Sequence, residues 1–92
     1  MQVGLYATLR PVVGSPRVEV SLPQGATVAD LLDELLRRWP ALREHLLDER
    51  GALSRHVNLL VDGRGTRWLP EGTKTSLDGV ERVDVFPAVA GG

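Results

Sequence analysis

Residues 28–36 carry the chain's one long stripe of helical period. Val28, Leu31, Leu32, Leu35 and Leu36 share a face, while Asp33, Glu34, Arg37 and Arg38 populate the opposite side. Before and after this segment the apolar residues alternate, which is the period of strands. A lone amphipathic helix cannot bury its stripe by itself, so the strands must supply the covering surface. Thr27 is placed to cap the first turn, with Asp30 three residues on as an acidic variant of the capping box. Acids lie early and arginines late, as the helix dipole favours. Pro40 ends the helix near Trp39 and opens a shorter second helix through Leu46-Leu47, closed by Gly51.

Met1 to Arg10 alternates, with Val3, Leu5, Ala7 and Leu9 on one side and Gln2, Gly4, Tyr6 and Thr8 on the other. Pro11 to Pro16, containing Gly14-Ser15, reads as a turn, and Arg17 to Leu22 alternates again with Val18, Val20 and Leu22 inward. These two strands form an N-terminal hairpin. Beyond the helices, His56–Asp62 is a third strand with Val57, Leu59 and Val61 inward, and Asp62-Gly63-Arg64-Gly65 is a turn. A short strand around Thr66–Leu69, a polar loop over Glu71–Val80 with room for one helical turn, and a last strand over Glu81–Phe86 complete the order β-β-α-β-β-β. A hairpin followed by a helical crossover lets the first and last strands run parallel, side by side. The expected fold is α+β, a β-grasp: a mixed sheet of about five strands wrapped on one main helix, with the last strand at its centre.

Ninety-two residues make one domain, here 1–92 with an extended tail over 88–92. A net charge of −1 gives no electrostatic case for nucleic acid or an anionic membrane. No apolar run approaches the roughly 20 residues of a membrane span, and no secretory pattern opens the chain, so a cytoplasmic location is expected. Without cysteine there is no thiolate nucleophile and no disulfide framework. Lys74 is the only lysine; codon bias toward Arg, Ala, Gly, Leu and Val accounts for this, and the scarcity is compatible with a protein carrying an activated acyl group without being support for it.

The last strand leads through Phe86-Pro87-Ala88-Val89-Ala90 to Gly91-Gly92. Glycine has no Cβ, so such an end fits a channel too narrow for side chains. Five residues reach about 16 Å at ~3.3 Å each, enough to carry a carboxylate into a partner's active site. A Gly-Gly end is also what a frayed terminus looks like. The strand faces add weight. Tyr6, Leu60 and Phe86 are apolar residues on outward positions of three strands expected to be adjacent, beside the tail. Such a patch reads as a docking surface, or as a cross-strand pair that serves stability. His45 and His56 lack carboxylates or cysteines at metal-ligand spacing. Asp33-Glu34 and Asp48-Glu49 are charged faces rather than an acid/base pair, and the serines lack a nucleophile elbow. Trp39 and Trp68 read as core edge, and Arg64 and Arg67 as exposed hairpin arginines. No active site assembles; the chain has the character of a substrate.

The ending Phe86-Pro87-Ala88-Val89-Ala90-Gly91-Gly92 resembles the F-P-P-V-x-G-G terminus of the molybdopterin synthase small subunit (MoaD) and related ubiquitin-like sulfur carriers such as ThiS. Tyr6-Ala7-Thr8-Leu9-Arg10, Thr27-Val28-Ala29-Asp30-Leu31-Leu32 and Val61-Asp62-Gly63-Arg64 resemble that family's first strand, helix start and hairpin. Ala88 stands where the family usually has a second proline, and Pro40–Arg55 is longer than in compact members. The resemblance implies that an activating enzyme related to ubiquitin-activating enzymes adenylates the Gly92 carboxylate. A sulfur donor enzyme then displaces AMP to leave a thiocarboxylate, and the tail enters a catalytic subunit. The acceptor implied first is a pterin precursor in molybdenum cofactor biosynthesis, with the molybdopterin synthase large subunit as partner. Sulfur delivery to thiamine or tRNA, conjugation to lysines as a ubiquitin-like modifier, and an inert interaction module are the alternatives. On this reading the chain is not itself an enzyme. Gly91 and Gly92 form the reactive end, Tyr6, Leu60, Phe86, Pro87 and Val89 contact partners, and the chain holds no cofactor, ATP and Mg2+ belonging to the partner.

Overall fold

A computed structural model describes residues 1–87. β1 (Gln2–Leu5) and β2 (Arg17–Glu19) pair antiparallel, and a one-turn helix, α1 (Leu9–Val13), connects them. α2 (Val28–Arg38) follows, then a 3-10 turn at Pro40–Leu42 that runs into α3 (Arg43–Leu46). β3 (Asn58–Val61), β4 (Arg64–Gly65) and β5 (Arg82–Phe86) complete a sheet of spatial order β2-β1-β5-β3-β4. β5 is central, parallel to β1 and antiparallel to β3. This is the mixed β-grasp sheet on one main helix that the sequence pattern implies.

The core lies where strand and helix periods meet. Val3 and Leu5 of β1, Leu59 and Val61 of β3, and Val83 and Val85 of β5 are buried in one cluster with Val28, Leu31, Leu32 and Leu35 of α2. Each such side chain contributes about 1.5–3 kcal/mol relative to remaining exposed. At the head of α2, Asp30 N–H donates to Thr27 Oγ1 at 3.3 Å while Thr27 N–H donates to Asp30 Oδ2 at 2.9 Å. The capping box therefore closes in both directions. At its foot, Trp39 N–H still donates to the Leu35 carbonyl (2.8 Å), and Pro40 then starts the 3-10 turn without needing a donor of its own.

Several boundaries differ from the pattern. The first strand stops at Leu5 rather than Arg10, because Ala7 adopts φ 51° and turns the chain into α1. Ala7 is exposed instead of facing the core, while Leu9 is buried from the helix. Pro11 lies in the first turn of α1, where its missing N–H costs nothing, and Gly14 closes it. β2 ends at Glu19; Val20 is still buried beyond it, and Leu22 is half-buried. α3 ends at Leu46, so Gly51 belongs to the following turn, which the Asp48 side chain ties to the N–H groups of Arg50 and Ala52. The third strand starts at Asn58 rather than His56. The strand expected at Thr66–Leu69 is instead a 3-10 turn, Thr66–Trp68, preceded by the two residues of β4. The single helical turn foreseen in the late loop is the 3-10 turn Gly72–Lys74.

The β3–β4 reversal also sets the register of the central strand. Asp62 and Gly63 both take positive φ (45° and 86°), the geometry of a tight hairpin turn. From there the Asp62 carboxylate accepts from Glu81 N–H (3.2 Å) and Arg82 N–H (3.0 Å), while Asp62 N–H donates to the Arg82 carbonyl (2.9 Å). The start of β5 is thereby pinned to the hairpin.

Candidate functional site

The outer face of the sheet, away from α2, holds the residues that the pattern placed outside. The parallel register aligns Gly4 with Asp84, and Leu60 of β3 pairs with Asp84 from the other side. Gly4, Asp84 and Leu60 therefore form one row across three strands, with Tyr6, Phe86 and Asn58 in the next. The Tyr6 and Phe86 rings stack with centroids 4.1 Å apart and planes 13° from parallel. Tyr6, Leu60 and Phe86 are all half-buried, so each still presents surface.

A hydrogen-bonded network holds the stack. Tyr6 O–H donates to Asp84 Oδ1 at 2.7 Å, Arg82 Nε donates to the same oxygen at 2.9 Å, and Arg82 Nη2 donates to the Tyr6 hydroxyl at 2.9 Å. The carboxylate of Asp84, first, and the Tyr6 hydroxyl, second, hold the Arg82 guanidinium above its ordinary pKa. Arg10 adds a cation over the Tyr6 ring, 5.4 Å from its centroid, while its Nε donates to the Leu5 carbonyl at 2.8 Å. Gly4 leaves room for all of this. A Cβ there would stand 2.5 Å from Asp84 Oδ1 and 3.2 Å from the Tyr6 ring and hydroxyl.

The apolar surface extends beyond the three expected residues. Trp68 is 81% exposed, which corrects its reading as core edge. Its indole Cδ1 lies 3.2 Å, and Leu60 Cδ2 3.6 Å, from where a Gly65 Cβ would be, so both side chains converge over that glycine. Strand period hid this, since the 3-10 turn swings Trp68 outward. Trp39, in contrast, packs half-buried against the core as expected. Tyr6, Leu60, Phe86 and Trp68 together leave an aromatic-rich face of the kind that carries interface energy.

Pro87 is buried at the end of β5, where its ring fixes the backbone as the chain leaves the sheet; it does not stand on the exposed face where a partner contact was expected. Val89, Gly91 and Gly92 lie outside the described residues. Elsewhere, an open cavity of about 610 Å³ is lined in part by Arg55, His56 and Arg67. Arg67 is engaged there, donating to the Arg55 carbonyl (2.9 Å) and Asn58 Oδ1 (3.2 Å). Among the described residues no cluster of three or more His, Asp or Glu could hold a metal ion, and no helix is long and apolar enough to cross a membrane.

A five-stranded mixed sheet on one helix, with an aromatic outer face beside the exit of its central strand, defines a ubiquitin-like β-grasp protein. The ThiS family model matches residues 3–92, and the chain belongs to that family of ubiquitin-like sulfur carriers and modifiers. It is 37% identical to small archaeal modifier protein 3 of Haloferax volcanii over all 92 residues, covering 98% of that protein. It is 36% identical to small archaeal modifier protein 1 of the same organism, with both chains covered completely. The crystal structure of the latter superposes with a TM-score of 0.83 at 32% identity, covering 99% of this chain and 97% of that one. A chain of the Amycolatopsis orientalis BexX/CysO complex gives 0.78 at 30% identity, covering 99% and 98%. A putative molybdopterin converting factor subunit 1 of Pyrococcus furiosus gives 0.65 at 30% identity, covering 96% and 95%.

Proposed function

We propose that this chain is a ubiquitin-like protein modifier whose working group is the Gly92 carboxylate, activated as an acyl-adenylate by a separate enzyme. In the activation step a carboxylate oxygen attacks the α-phosphorus of ATP and pyrophosphate leaves. The resulting mixed anhydride is attacked at its carbonyl carbon by a lysine ε-amine, AMP departs, and an isopeptide bond remains. A sulfur nucleophile attacking the same carbon yields the thiocarboxylate instead, so modifier and sulfur carrier share one activated state. ATP and Mg2+ belong to the activating enzyme, and the chain itself contributes the tail and the face that docks.

The single observation that carries this reading is the place of β5. It runs at the centre of the sheet and ends at Phe86-Pro87, with Phe86 stacked on Tyr6, so the last five residues follow directly from the aromatic face. An enzyme that docks on Tyr6, Leu60, Phe86 and Trp68 has the start of the tail at its edge. The two modifier proteins at 36% and 37% identity favour lysines as the acceptor. A second reading, sulfur delivery in molybdenum cofactor synthesis, is favoured by the likeness to the Pyrococcus furiosus subunit.

Blotting lysates with an antiserum raised against the whole chain separates these readings. An antiserum avoids a tag at Met1, whose amine is bonded within the fold. The modifier reading predicts a ladder of conjugates that disappears when Gly92 is deleted. One band at the mass of the free chain, together with a Gly92 thiocarboxylate, would replace it with the dedicated sulfur carrier. One band without thiocarboxylate would leave an inert module.

A further inference from the structure

We propose that Lys74 is the one acceptor through which copies of this chain are joined to each other, so that its polymers are unbranched and of a single linkage. This rests on the modifier reading above. Lys74 is the only lysine of the 92 residues, and ten arginines supply the remaining basic side chains. A guanidinium stays protonated in proteins and has no free lone pair with which to attack an acyl carbon. The other primary amine, at Met1, is committed within the fold: it donates to Glu19 Oε1 at 2.7 Å and to the Val20 carbonyl at 3.1 Å. Lys74 is exposed at the end of the 3-10 turn Gly72–Lys74, and its amine has no ion pair or side-chain hydrogen bond among the described residues.

Its position is also set apart from most of the working face. Thr75, the next residue, accepts from Val28 N–H at 3.1 Å, and Leu77 N–H donates to the Ala26 carbonyl at 2.9 Å, so this segment packs beside the head of α2. α2 covers the inner face of the sheet, whereas Tyr6, Leu60 and Phe86 stand on the outer one. A second copy attached at Lys74 is therefore joined beside the head of α2, across the sheet from Tyr6, Leu60 and Phe86, while the turn that carries Trp68 neighbours the Lys74 turn. In the joining step the Lys74 Nζ lone pair attacks the Gly92 carbonyl carbon of an adenylated second copy. The C–N bond forms, the C–O bond to AMP breaks, and the excess proton on nitrogen passes to water.

The test adds purified wild type, Lys74→Arg and Gly92-deleted chain, each separately, with ATP and Mg2+ to a lysate from a strain of the source organism that lacks its own copy of the gene. Products are read on denaturing gels and by mass spectrometry of tryptic peptides. Wild type is expected to give self-linked species containing a branched peptide in which residues 83–92 are attached to residues 68–82 through Lys74. Lys74→Arg is expected to lose every self-linked species while conjugates to other proteins persist, and Gly92 deletion to lose both. Self-linked species that survive Lys74→Arg, or wild-type conjugates in which no copy is joined to another, overturn the proposal and leave the modifier reading standing. A wild type that forms no conjugate of any kind removes both. Melting curves for Lys74→Arg equal to wild type exclude a folding defect as the cause.

Discussion

The two solvent-facing surfaces of this molecule are built on opposite rules. On the outer side of α2 the charges satisfy each other: Glu34 receives Arg37 Nε at 2.9 Å and Nη2 at 2.8 Å, and Arg38 Nε at 2.8 Å. On the outer side of the sheet, Tyr6, Leu60, Phe86 and Trp68 offer apolar surface that nothing in the described chain covers fully. The helix surface needs only water. The sheet surface spends a buried-type composition on an exposed place, and it does so beside the strand that leads to Gly91-Gly92. Apolar surface left open beside that strand is what the proposed docking requires.

The sharpest way to break this contrast is Phe86→Asp. It puts a charge in the stack with Tyr6 and should weaken binding to the activating enzyme by about 2–4 kcal/mol, roughly 30-fold or more by calorimetry. Unchanged affinity would return Phe86 to an ordinary pairing role. Gly4→Ala should come next. Its Cβ displaces the Asp84 carboxylate that Tyr6 and Arg82 share, and the expected loss is about 1–2 kcal/mol of unfolding free energy in urea, with weaker enzyme binding. Trp68→Ala should lower binding by about 1 kcal/mol while stability stays within about 0.5 kcal/mol, because the indole is exposed.

The smallest effect belongs to the helix side. Hydrogen bonds from Arg37 and then Arg38 bring the Glu34 pKa down from 4.5 to about 2. A carboxylate with a depressed folded-state pKa contributes stability that is fully present above its unfolded pKa and lost as pH falls through the folded one. The stability difference between wild type and Glu34→Gln should therefore be constant at neutral pH and shrink between pH 4.5 and about 2. Exposure of the fork to water and salt keeps the effect slight. A difference that grew on acidification would reverse the assignment.

The sequence disclosed most of this contrast through period. α2, its Thr27–Asp30 box and the inward valines of β5 follow directly from spacing, and the central place of β5 follows from a hairpin plus a crossover. Tyr6, Leu60 and Phe86 stood out because they violate alternation. What stayed hidden depended on single dihedrals or on cross-strand register. Ala7 at φ 51° ends β1, yet Leu9 remains buried from α1, so alternation alone could not separate strand from helix there. Thr8, Pro11 in the first turn and Gly14 were the available signals. Trp68 turned outward because two residues of β4 give way to a 3-10 turn. The Tyr6–Asp84–Arg82 network needs Gly4 opposite Asp84, a pairing that no one-dimensional pattern specifies.

Activation of the Gly92 carboxylate is the step on which the modifier and carrier readings both depend, and intact-mass spectrometry tests it most directly. The purified chain is incubated with its adenylating enzyme, ATP, Mg2+ and a sulfur source. We expect a mass gain of one sulfur-for-oxygen exchange, located at Gly92 by fragmentation and absent from a chain lacking that residue. A wild-type mass left unchanged by an enzyme active on another carrier would contradict the account.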